Sequence, residues 1–99
     1  MIVEIAVTGI NLKDAGDFTR FEVAVRTDHP SAVLDAANAG RLVGDDHAAI
    51  RVGWLTDAAG DLAQTDEWRE GFEAMLAYAQ RKGWTTESGE VLGHIVSST

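Results

Sequence analysis

The sequence predicts an α+β fold: a two-layer sandwich in the order β-β-α-β-α-β, a mixed sheet with two helices on one face. Three observations carry this. Residues 65–83, TDEWREGFEAMLAYAQRKG, repeat apolar side chains at helical spacing. Residues 2–10 and 18–27 alternate apolar and polar positions with period two, the mark of half-buried strands. After them, helix and strand patterns take turns to the end of the chain. With 99 residues, one domain over 1–99 is expected.

In the first strand Val3, Ile5 and Val7 point one way, and Glu4, Ala6 and Thr8 the other. Residues 11–17, NLKDAGD, read as a polar turn. In the second strand Phe21, Val23 and Val25 point inward; Arg20, Glu22, Ala24 and Arg26 point outward. A hairpin is expected between them, with Val7 opposite Phe21, Ile5 opposite Val23 and Val3 opposite Val25. That register sets every inward residue against another.

Pro30 suits the first turn of a helix and drives its predecessor out of helical backbone, so His29 or Asp28 is the cap. The short helix runs through Val33, Leu34, Ala36 and Ala37 and stops near Gly40. Residues 41–43 either extend it or cross to the sheet, and 44–46 turn. Residues 47–56 read as a third strand, with Ala48, Ile50, Val52 and Trp54 on one face and Ala49, Arg51, Gly53 and Leu55 on the other. Residues 57–64 read as a loop.

The main helix gathers Trp68, Gly71, Phe72, Met75, Leu76, Tyr78 and Ala79 on one side. Thr65 or Asp66 caps its start. Asp66 and Glu67 complement the positive end of the helix dipole, and Arg81 and Lys82 the negative end. Gly83 is placed for the left-handed residue that ends a helix. In the last strand, residues 90–97, Val91, Leu92, Ile95 and Val96 are apolar on both parities, as in a strand covered on both sides or at a subunit contact. Residues 97–99 are expected to fray.

Composition narrows the function classes. A net charge of −8 argues against nucleic acid and anionic membranes as partners. The absence of cysteine removes disulfides, thiolate metal sites and cysteine nucleophiles, and fits a cytoplasmic location. Met1 leads straight into a strand pattern, so no secretory leader is expected, and no apolar run reaches membrane-spanning length. Abundant alanine and arginine-rich basic residues point to a GC-rich bacterial source.

Arg20, Arg26 and Arg51 are all expected on the outer face of the sheet. Together they read as an anion or carboxylate site, as partners for Glu4 and Glu22, or as the rim of a sheet-to-sheet dimer. His47 and His94 are candidate acid–base groups, but no metal-binding spacing occurs, and neither a metal nor a cofactor is expected. The aspartate-rich turns lack the calcium-loop pattern, and no phosphate-binding or serine-hydrolase motif occurs. Trp54, Trp68 and Phe72 read as core, whereas Tyr78 and Trp84, at the margin of the main helix, read as contact residues. The function expected is therefore that of a small non-catalytic binding protein, a homodimer or the partner of another protein or small ligand, acting through its sheet face. The alternative is a small cofactor-free enzyme with a histidine/arginine cleft.

Overall fold

The alternating segment that opens the chain is divided in two. A computed structural model describes residues 1–97; it places β1 at Ile2–Ala6 and turns the chain straight back into β2, Gly9–Lys13. The two form an antiparallel hairpin with Val3 opposite Leu12 and Ile5 opposite Ile10. Gly9 makes the reversal at φ +139°, backbone that residues with a Cβ avoid. Val7, expected inside, sits in this turn and is 80% exposed. Asn11, Leu12 and Lys13, expected in a turn, belong to β2.

β3, Glu22–Arg26, lies on the other side of β1 and runs parallel to it, with Val3 beside Val23 and Ile5 beside Val25. The expected antiparallel pairing of these two segments is not formed. Residues 14–21 carry the chain from β2 past the start of β1 to β3. There the Met1 ammonium donates to the carbonyls of Asp17 at 2.6 Å and Arg20 at 3.0 Å.

Helix α1, Pro30–Ala37, starts as the proline dictates, with His29 at the cap position, and ends on Asn38 at φ 51°. Residues 40–43 form a strand, β4 (Gly40–Val43), which pairs antiparallel with β5, His47–Arg51. Gly40 approaches β5 so closely that a Cβ would run into the Ala49 carbonyl. β5 stops five residues short of the expected strand end, because Val52–Ala59 winds into a helix, α2. Leu55 is fully buried there, and Val52, Trp54 and Ala59 pack against the core from this helix, not from a strand. A 3-10 turn, Gly60–Gln64, takes the place of the expected loop.

Helix α3, Asp66–Arg81, follows the sequence closely. The Thr65 hydroxyl accepts the Trp68 amide at 3.2 Å, and Gly83 stands at φ +77° beyond its end. Trp68 and Phe72 are buried and stacked with ring centroids 4.6 Å apart. The Trp68 indole N–H donates to the Ala15 carbonyl at 2.8 Å, so the ring's polar edge is satisfied as its face is buried. Gly71 leaves room for the Phe18 ring, which a Cβ would strike.

β6, Glu90–Ser97, completes a six-stranded mixed sheet of order β2-β1-β3-β6-β5-β4. It is parallel to β3 and antiparallel to β5. The strands β1–β3 and β4–β5 meet only through it. Helix α1 touches β1 and β2 near one edge and β4 at the other, so the sheet is curled. On that side Val3, Ile5, Val23, Ala48 and Ile50 meet Leu34, Leu55, Trp68 and Phe72 in one core. Each such aliphatic side chain stabilises the fold by about 1.5–3 kcal/mol relative to exposure. Of residues 97–99, expected to fray, Ser97 is the last residue of β6 and pairs with Val25, whereas 98 and 99 lie outside the described residues. Among the described residues no helix is long and apolar enough to cross a membrane.

Candidate binding face

Successive strand residues point to opposite sides, so every core position implies a neighbour on the other face. That face is built from Ile2, Glu4 and Ala6 of β1, Asn11 and Lys13 of β2, and Glu22, Ala24 and Arg26 of β3. Glu90, Leu92, His94 and Val96 of β6, His47, Ala49 and Arg51 of β5, and Arg41 and Val43 of β4 complete it. Its strand residues include Glu4, Glu22 and Glu90 against Lys13, Arg26, Arg41 and Arg51. The face is thus close to charge-balanced in a chain of net charge −8.

The charges sit at the flanks. On one side Glu4 is held by Lys13 at 3.0 Å and Arg26 at 2.8 Å. The hydrogen bond from Lys13, then the nearby cations, pull its carboxyl below the ordinary 4.5. On the other side the buried Glu90 carboxylate accepts from Arg41 at 3.1 Å and from the Thr86 hydroxyl at 3.0 Å. Arg51 donates to the Asn38 carbonyl at 3.0 Å.

The centre is apolar except for Glu22 and two histidines. Ala24 lies beside Val96 and Ala49 beside Leu92. Between these pairs, one lateral row runs Glu22, His94, His47 across β3, β6 and β5. The two imidazoles meet edge to face, centroids 5.3 Å apart at 80°. Asp46, in the turn before β5, accepts from His47 Nδ1 at 2.7 Å, and this bond holds the Asp46 carboxyl below its ordinary 3.8. An imidazole anchored at Nδ1 by a carboxylate presents Nε2 with a fixed aim, as an acid–base group or a metal ligand does.

Beside the histidines is an open hollow of about 200 Å³ lined by Phe21, His47, Trp84, Leu92 and His94. A second, of about 110 Å³, shares Phe21, Trp84 and Leu92 and extends to Arg20, Met75 and Tyr78. Tyr78 and Trp84 pack edge to face at 5.9 Å and remain 48% and 47% exposed. Lys82 stands 5.6 Å from the Tyr78 ring centre, close enough for a cation–π contact.

The structure therefore gathers Tyr78, Trp84, His47 and His94 along one strip. It does not gather the arginines. Arg20 lies before β3, within 4.0 Å of Asp14, Asp17 and Glu22. Arg26 ends the same strand, roughly 20 Å away at the rise of an extended chain. Arg51 ends β5. Asp46, Phe21 and Leu92 join the strip without having been singled out from the sequence. The signal for them was the pairing of residues 47–51 with 90–94, which no local pattern reveals. Comparison with protein-family models, curated proteins and solved structures finds no match.

Proposed function

We propose that this protein is a non-catalytic binding protein that pairs with a second copy of itself through the open sheet face, in a reducing, cytoplasmic setting. The observation that carries the reading is the layout of that face: an apolar centre of Ala24, Ala49, Leu92 and Val96, crossed by the row Glu22, His94, His47, between two charged flanks. An apolar core inside a polar rim is the anatomy of a protein contact. Near-balanced charge lets two such faces approach, although the whole chain is strongly acidic. A two-fold axis through the centre sets each flank of mixed sign against its counterpart. The hollows along the strip, about 110 and 200 Å³, fall below the roughly 300–1,000 Å³ of a site that encloses a small molecule, and the wider one of about 440 Å³ along α3, lined by Phe18, Thr19, Gly71, Ala74, Met75 and Tyr78, is an open surface depression that holds neither histidine, which favours surface recognition over an enzyme cleft.

Magnitude sets the kind of dimer. Six strands at ~4.8 Å spacing and about five residues each give a face of roughly 500 Å². A standard interface buries about 800 Å² per partner. The pairing is therefore reversible, with Tyr78 and Trp84 adding contact at the margin. Sedimentation velocity across a range of concentrations tests it. The expected result is a shift from monomer to dimer, abolished by Val96→Lys and unchanged by Val7→Lys in the β1–β2 turn. A monomer at every concentration would remove the reading.

A further inference from the structure

We propose that Asp46, His47 and His94 form a binding site for a divalent transition-metal ion of the zinc, cobalt, nickel or copper class. The site is complete within one chain, so it does not rest on dimerisation.

β5 and β6 run antiparallel with His47 directly opposite His94, so both imidazoles rise from the same face of neighbouring strands. Side chains so placed start about 4.5–5.5 Å apart at Cβ. Asp46 adds a carboxylate from the turn that leads into β5. One ligand atom from each of the three lies within 4.8 Å of the others. An ion bound at ~2.0–2.1 Å from each donor in tetrahedral geometry needs donors about 3.3 Å apart. Side-chain rotation alone closes that difference, because Asp46 and His94 are exposed and His47 is half-buried on a fixed backbone.

The donor set selects the ion. Two imidazole nitrogens and one carboxylate oxygen suit borderline transition ions, whereas calcium and magnesium demand oxygen throughout. Three protein donors leave a further position for water or an added ligand. Both histidines line the hollow, where Phe21, Trp84 and Leu92 form an apolar wall, so there is room beside them for that further ligand. The neighbouring charge is favourable on balance. Glu22 follows His94 in the same lateral row, and Asp45 precedes Asp46; Arg20 stands 4.0 Å from the Glu22 carboxylate and is shared with Asp14 and Asp17. The site is invisible to spacing rules because one histidine lies 47 residues beyond the other.

Isothermal titration with Zn²⁺, and with Mg²⁺ for comparison, tests the proposal on the whole chain at neutral pH. The expected result is one Zn²⁺ per chain and no response to Mg²⁺. Co²⁺ should give the visible absorption of a nitrogen- and oxygen-ligated ion. His47→Ala and His94→Ala should each abolish the binding, as should the more conservative His94→Gln. Asp46→Asn should weaken it, because a neutral amide oxygen replaces the charged carboxylate donor. His29→Ala, at the distant start of α1, should leave it unchanged. No heat with millimolar Zn²⁺, equal binding of Mg²⁺, or binding that survives both His94 substitutions in folded protein overturns the proposal. A chain that stays monomeric in sedimentation but binds Zn²⁺ in this way removes the dimer reading and leaves the metal site standing.

Discussion

The two faces of the one sheet obey different rules, although each strand supplies both. On the helix-covered face Val3, Ile5, Val23, Ala48 and Ile50 are fully buried, and their partners Leu34, Leu55, Trp68 and Phe72 come from three helices. On the open face Ala24 and Ala49 are as well hidden, at 7% and 0% exposure, yet they belong to the uncovered parity. Their shelter comes from longer neighbours in the same sheet, since a single methyl is easily screened. The comparison teaches that burial has two sources here. One is a second layer, which requires large apolar residues. The other is lateral crowding, which requires small ones and leaves the rest of the face free to carry histidines and ion pairs.

The contrast can be tested from the strongest effect down. Trp68→Ala removes the largest side chain of the covered face together with its bond to Ala15, and should cost about 3–5 kcal/mol in urea or guanidinium unfolding. A loss below about 1 kcal/mol, the level of a surface change, would mean that the two faces are not unequal after all. The open face has one strong point of its own. Arg41→Ala strips the charged partner from the buried Glu90 carboxylate and should cost about 1–3 kcal/mol, read in the same way.

Acid should act on the open face first. The Glu4 carboxyl lies below its ordinary 4.5 when folded, chiefly because of the Lys13 hydrogen bond. The unfolded chain therefore takes up the proton at higher pH than the folded one. This contribution to stability is whole above about pH 4.5 and is lost as the pH falls through the lower, folded value. Melting temperatures between pH 6 and pH 3 should fall less steeply in Glu4→Gln than in the parent. The smallest effects belong to the exposed cations of the same cluster. Lys13→Ala and Arg26→Ala should each cost no more than about 1 kcal/mol, as solvated ion pairs do.

Why some elements were legible follows from what periodicity encodes. Helix α3 announced itself through spacing, cap and terminal glycine together, and the Thr65 cap and Gly83 stand where the sequence put them. The pairing of β1 with β3 was misread because alternation fixes which face a residue takes and says nothing about strand direction. Val3 and Ile5 match inward residues equally well beside Val23 and Val25 in parallel as opposite them in antiparallel. β2 was hidden because an edge strand needs only Ile10 and Leu12 inside, and its remaining residues look like a turn. α2 carried a usable sign, since Val52, Leu55 and Ala59 recur at helical intervals, but Val52 and Trp54 also continue the alternation of β5. The histidines of the strip were visible singly. Their meeting depends on a register between segments far apart in the chain, and so does the approach of Phe21 and Leu92 to them.

The position of β6 has a consequence for how the molecule is made. During vectorial synthesis the β1–β2 hairpin, β3, β4, β5 and all three helices emerge while the slot at the centre of the sheet still stands empty. Until residues 90–97 leave the ribosome, β3 and β5 each offer an unzipped rim, and non-local closure of this kind is intrinsically slow. A nascent chain stalled at α3 is thus two half-sheets waiting for a keystone, and of the six strands the latest in chain order is the one that makes them a single body.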